Sequence, residues 1–324
     1  MNRYSLVLLT LSALFLAALE AGQRYLLPRV KAVDHRLTRE NAGAEQIKPG
    51  PGQPVPVLLV GNSLLKRGID LSLLNEKLHP EYDVVRFVVD DTNYLDWYYG
   101  LHRLFLEGAR PKAVILVLNG RQLISPDVHG DSFATLLMDR SDLLAVKRTV
   151  ASDNTTTSSL LFANFSRYYG MRSELHKWVL LHLFPAFPDL AVKLRPETPP
   201  LAPDEQIGAA AAQRLKQMSE MCARYGAQFI FVVPPSTAAR DGSSAIQAAG
   251  NRIGVQVLVP FQPRQLPSNL YEDGFHLNYQ GAEVFTQALS SSLRQLLGSD
   301  NLTQSAESKN NVGGSGIPVS AGRR

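Results

Sequence analysis

The sequence predicts an α/β fold, with a parallel sheet of about five strands, helices on both sides and a helical insertion. Three observations carry that expectation. Five short, mainly apolar runs (57–60, 84–89, 113–118, 228–233 and 254–259), the first of them apolar throughout, suit strands buried on both faces. Stretches of helical period separate most of them. Polar or glycine-bearing turns follow directly on the runs. Right-handed crossovers then bring every strand's C-terminal end to one edge, so Ser63, Asp91, Asn119 and Pro234 share one crevice.

In order, the chain opens Met1-Asn2-Arg3 and runs apolar from Tyr4 to Leu19. A basic start before such a stretch reads as an export signal; without a clean small-x-small cleavage pair it reads as an uncleaved anchor over 1–24. Sixteen residues span about 24 Å as a helix, and extension to Gly22 lengthens that toward a hydrocarbon core. By the positive-inside rule, Arg24, Arg29 and Lys31 after it favour a cytoplasmic domain. The signal-anchor form, with a large C-terminal domain that translocates largely regardless of flanking charge, favours one facing the periplasm or another extracytoplasmic space. Residues 25–54 read as a tether, because Lys48 to Pro54 is rich in Pro and Gly. The domain itself covers 55–298. Asp70 is placed to cap a helix carrying Leu71, Leu74 and Leu78, which Pro80 ends. Tyr94–Leu106 and Pro203–Tyr225 have helical period. A last helix from Asn278 puts Val284, Phe285, Ala288, Leu289, Leu293 and Leu296 on one face.

Residues 125–203 are too long for a plain loop and hold three apolar clusters, around Leu136–Met138, Leu160–Phe165 and Trp178–Phe184. They read as a helical insertion, either an enlarged core or a lid and partner surface above the crevice. A Pro-rich stretch over 195–200 closes it. Residues 299–324 are rich in Ser, Asn and Gly and read as a disordered tail.

Composition excludes several classes. A chain of 324 residues with 45% hydrophobic and 19% charged residues is neither fibrous nor disordered. Net charge is +4, with no cluster of Lys and Arg interleaved with aromatics, which speaks against nucleic acid as a partner. The single cysteine, Cys222, permits no intrachain disulfide, and its helical spacing with Ala211, Leu215 and Met218 reads as a small core residue. No metal or organic cofactor is called for.

The chemistry gathers on two stretches. Val57-Leu58-Leu59-Val60 breaks at Gly61-Asn62-Ser63, placing a serine where a strand turns into a helix. Far downstream, Asp273-Gly274-Phe275-His276 sets an aspartate and a histidine three residues apart on a turn before the last helix. A serine hydroxyl needs a base to take its proton, and the base needs a third group to hold its tautomer. Taken singly, Gly-Asn-Ser is also a turn with a helix N-cap, and Asp-x-x-His a surface turn. Their order on an alternating βα pattern favours a Ser63–His276–Asp273 triad.

At these residues the chain resembles the SGNH (GDSL-like) hydrolases, a flavodoxin-like three-layer fold. Gly61-Asn62-Ser63-Leu64-Leu65-Lys66-Arg67-Gly68-Ile69-Asp70 and Asp273-Gly274-Phe275-His276-Leu277-Asn278-Tyr279-Gln280-Gly281-Ala282 are similar to the membrane-anchored bacterial branch, whose members include O-acetyltransferase domains of exopolysaccharide export such as that of alginate. The resemblance implies Ser63 as nucleophile, His276 as base and Asp273 as its orienter. It also implies an acylated carbohydrate or acyl donor as substrate, a bacterial inner membrane held through residues 4–22, and export-complex proteins as partners through the insertion. The chain departs from the family where the oxyanion hole is built. The second block reads Asp90-Asp91-Thr92-Asn93 without its glycine, and the third reads Asn119-Gly120-Arg121 in place of Gly-x-Asn. Ser63, Thr92, Asn93 and Asn119 are the oxyanion candidates, with two carboxylates close by. Those departures also fit a catalytically silent SGNH-like scaffold or carbohydrate-binding component of an export complex.

Overall fold

A computed structural model of the protein describes residues 3–30, 32–170, 172, 180, 183–184 and 200–311. It is an α/β fold built on a five-stranded sheet with helices on both faces. The strands are β1 (Val55–Gly61), β2 (Tyr82–Val88), β3 (Ala113–Val117), β4 (Gln228–Val232) and β5 (Gln256–Leu258). Their spatial order is β2-β1-β3-β4-β5, and every pairing is parallel. Gly61 is level with Val88 and with Val117, and Val117 with Val232, so four strands end together on one edge.

The strands are apolar at most positions because successive side chains enter one of two cores; Asp83 and Arg86 of β2 depart from this. Leu58, Val60, Phe87, Val114, Leu116 and Phe231 point to one side. There they meet α5 (Tyr94–Leu106), α11 (Asp204–Arg224) and α12 (Ser243–Ile253). Val57, Leu59, Ile115, Val117 and Val232 point to the other, against α3 (Ser63–Gly68), α4 (Leu71–Leu78) and α13 (Tyr279–Asn311). Asp70 caps α4 as its sequence predicts, Oδ1 accepting from the N–H groups of Ser72 and Leu73. The buried stripe of α13 is Phe285, Leu289, Leu293 and Leu297, so Val284, expected inside, is exposed. Cys222 is fully buried, and desolvation pushes its thiol up to about 12, which makes it a packing residue.

Helix α1 (Arg3–Val30) contains a 20-residue stretch, Arg3–Gly22, of mean hydropathy 1.9, long and apolar enough to cross a membrane. That stretch is about 30 Å long. The expected tether is corrected: Ala32–Gln46 forms a second helix, α2, packed on β2. Ala44 is fully buried, Gly43 lies close to Val85, and Glu40 accepts from both Arg86 and the Val88 N–H. Its docking face combines the small residues Gly43 and Ala44 with Glu40 and the larger apolar Leu37, so composition alone reads as polar linker. The expected tail is also corrected in part, since α13 runs on to Asn311; residues 312–324 lie outside those described.

The insertion is helical over its described part: α7 (Gly130–Ser132), a π-turn (Phe133–Leu137), α8 (Leu143–Thr149), α9 (Asn154–Phe165) and α10 (Arg167–Gly170). Short α6 (Gly120–Ile124) precedes it. Phe133, Ala134, Leu137, Met138, Val146, Leu160 and Ala163 join the core that also contains α5, so this part enlarges the core. Most of the third cluster and the Pro-rich stretch at 195–199 lie outside the described residues.

Candidate active site

Two local structures bring the candidate residues together. The first is the β1–α3 turn. Gly61 is required there because a Cβ would stand 2.7 Å from the Val117 carbonyl oxygen, a backbone atom with no freedom to retreat. Asn62 is the N-cap of α3: its buried Oδ1 accepts from the Leu64 N–H at 3.0 Å while its Nδ2 donates to the Thr92 carbonyl at 2.8 Å. One side chain thus starts the helix and ties the β2 turn to it. Ser63 then occupies the first helical position, where backbone N–H groups have no intrahelical partner.

The second is the 271–278 turn, closed by an antiparallel bridge between Tyr271 and Leu277 and by the Glu272 N–H donating to the His276 carbonyl. Asp273 Oδ1 accepts from the N–H groups of Phe275 (3.0 Å) and His276 (2.7 Å). Asp273 Oδ2 lies 2.7 Å from His276 Nδ1. These hydrogen bonds, the one from the His276 ring foremost, hold the Asp273 carboxyl well below the usual carboxylate range. An ionised carboxylate only accepts, so Nδ1 carries the proton and Nε2 is left as an acceptor. Ser63 Oγ lies 3.0 Å from that Nε2 and donates to it. The structure therefore places Ser63, His276 and Asp273 in one hydrogen-bonded line. Arg67 of α3 pairs with Glu272, joining the two turns a second time.

The oxyanion candidates separate. Ser63 N–H and Thr92 N–H have no hydrogen-bond partner among the described residues. Asn93 does not serve, because its N–H donates to Asp96 Oδ2 at 2.7 Å in the capping of α5. Asn119 caps α6 reciprocally with Gln122, which occupies both its N–H and its Oδ1 and leaves Nδ2 as its remaining donor. Of the two carboxylates beside these groups, Asp90 is paired with Lys66 Nζ at 2.9 Å, and Asp91 is exposed on a left-handed backbone (φ 61°). Asp90 Oδ1 is buried without a partner among the described residues. Thr92 is buried and locked, donating to the Val89 carbonyl and accepting from Trp97 Nε1.

Sequence reasoning placed a helix N-cap within Gly61-Asn62-Ser63 without naming Asn62 for it, and did not single out Lys66, Arg67 or Glu272. Asn62 was open to recognition as an N-cap residue type. The ion pairs join positions 24 and 205 residues apart, a separation that leaves no local pattern. Among the described residues, no group of three or more His, Cys, Asp or Glu side chains is placed to hold a metal ion. A scan against protein-family models and a search of curated proteins find no match for this chain.

Proposed function

We propose that the protein is a membrane-anchored serine esterase or O-acyltransferase of the SGNH type, acting on acyl esters of a carbohydrate polymer outside the cytoplasm. The observation that carries the reading is the 3.0 Å approach of Ser63 Oγ to His276 Nε2, with Asp273 behind the ring at 2.7 Å. The flavodoxin-like strand order 2-1-3-4-5, with Ser63 at the C-terminal edge of the sheet, supports the SGNH assignment. The apolar stretch Arg3–Gly22 supports the anchor, and the export-signal form of the N-terminus supports the extracytoplasmic side.

In this mechanism Ser63 Oγ attacks the acyl carbonyl carbon as His276 Nε2 takes its proton. Asp273 steadies the imidazolium through Nδ1–H. Negative charge on the carbonyl oxygen falls between the Ser63 and Thr92 N–H groups, with Asn119 Nδ2 as a third donor; Lys66 neutralises Asp90 nearby. Collapse breaks the ester C–O bond, and His276 returns the proton to the leaving alcohol. Water or a sugar hydroxyl then attacks the acyl-serine, giving hydrolysis or transfer. A fluorophosphonate probe is expected to label the wild type and not Ser63→Ala; equal labelling of both sinks the proposal.

A second reading is a catalytically silent scaffold of an export complex, favoured by the loss of the Asn93 N–H to Asp96. Under it, Ser63→Ala restores function in a deletion strain as fully as the wild-type chain.

A further inference from the structure

The geometry points to the α9–α10 corner of the insertion as a membrane-docking surface, seated in the lipid interface beside the anchor. The inference rests on reading Arg3–Gly22 as a membrane span. That span is bare of protein for most of its length, but Leu19, Glu20 and Gly22 are partly covered. What covers them includes the insertion: Ser166 Oγ, at the joint between α9 and α10, donates to Glu20 Oε2 at 2.9 Å, and α10 packs against α1. Glu20 lies within the span itself. A folded domain touches it only by reaching down to the boundary of the hydrocarbon. Helix α1 continues to Val30, about 12 Å beyond Gly22, before α2 begins. Contact at Glu20 rather than beyond Val30 therefore sets this corner at the membrane surface and not above it.

The side chains shown there suit lipid. Phe162 and Phe165, on the last turn of α9 beside Ser166, are 56% and 60% exposed. The Phe162 ring packs against Tyr169, with centroids 5.8 Å apart. Guanidinium groups cap the neighbouring rings, Arg140 at 4.1 Å over Phe165 and Arg172 at 3.7 Å over Tyr169. Aromatic rings with arginine beside them suit the headgroup boundary, where rings enter the acyl region and guanidinium groups meet phosphates. Arg172 is also paired with Asp131 and Arg140 with Asn164, so the rings carry the contact and the arginines add attraction for anionic headgroups. The anchor and the corner together make two attachments, which hold the domain in one orientation over the bilayer.

The test uses the full chain with Cys222→Ala, carrying single cysteines labelled with an environment-sensitive fluorophore. It is reconstituted in phosphatidylethanolamine–phosphatidylglycerol vesicles containing nitroxide-labelled acyl chains. Labels go on Phe162→Cys and Phe165→Cys, on Phe15→Cys as the anchor reporter, and on Leu106→Cys, which is 51% exposed on α5. All four label sites are exposed, so labelling spares the core, and Cys222→Ala is common to all four chains. The expected result is blue-shifted, quenched emission at 162, 165 and 15, with neither change at 106. Quenching at 15 with none at 162 and 165 overturns the inference and leaves the anchor standing. Aqueous emission at 15, 162 and 165 overturns both, and quenching at 162 and 165 alone supports docking without a span.

Discussion

Asp273→Asn separates a catalytic line from a structural turn. The substitution keeps an Oδ1 that still accepts from the Phe275 and His276 N–H groups, so the turn is retained. At the second position a donor NH₂ replaces the oxygen that accepts from His276 Nδ1. To bond it, Nδ1 must give up its proton, which moves to Nε2. Nε2 then cannot accept from Ser63 Oγ, although the 3.0 Å approach is unchanged. A wrong tautomer in a Ser–His–Asp arrangement costs about 10⁴ in kcat, or about 5.5 kcal/mol of transition-state stabilisation. Little stability is at stake, because the Asp273 side chain is 54% exposed. The native pair's contribution is present above the ordinary carboxylate range and is lost as pH falls through the depressed folded value. The assay is hydrolysis of a small acyl ester such as p-nitrophenyl acetate, with thermal unfolding measured alongside. A folded variant within about tenfold of wild-type kcat refutes the tautomer argument.

Two further outcomes test the supporting structure. Asp96 is fully buried between the Asn93 and His129 N–H groups, and desolvation lifts its carboxyl to about 6. The folded state therefore binds the proton more tightly than the unfolded state, and the Asp96 contribution is lost as pH rises from about 4 to about 6, by about 3 kcal/mol. Urea unfolding at pH 4 and pH 7 is expected to show the wild type losing that much relative to Asp96→Asn; parallel pH profiles contradict it. Gly61→Ala drives a Cβ against the Val117 carbonyl, an overpacking that destabilises by about 1–3 kcal/mol and displaces Ser63. The denaturation midpoint and ester turnover should both fall; an unchanged midpoint is the contrary result.

Much of the sheet was legible because a parallel strand buried on both faces is apolar at every residue. The runs at 57–60, 113–118 and 228–233 each lie within a residue or two of an observed strand. Helix α2 was not legible, since it docks through Gly43 and Ala44 and an arginine–glutamate pair, which resemble linker composition until β2 is beside them. Helix α12 was missed for a related reason: Gly250 lies mid-helix, where a Cβ would stand 2.4 Å from a Val257 methyl, so the breaker residue is the docking residue.

By itself the sequence determined the α/β class, the apolar N-terminal stretch, and the pairing of a strand-end serine with a downstream Asp-x-x-His. Those features are local, written in periodicity, turn chemistry and short spacing. Only the tertiary structure decided which donors are free beside Ser63, that Asp90 faces Lys66, and that the insertion reaches Glu20 of α1. Each is a contact between residues far apart in the chain. Such contacts follow from how the layers pack, which no short window of sequence records.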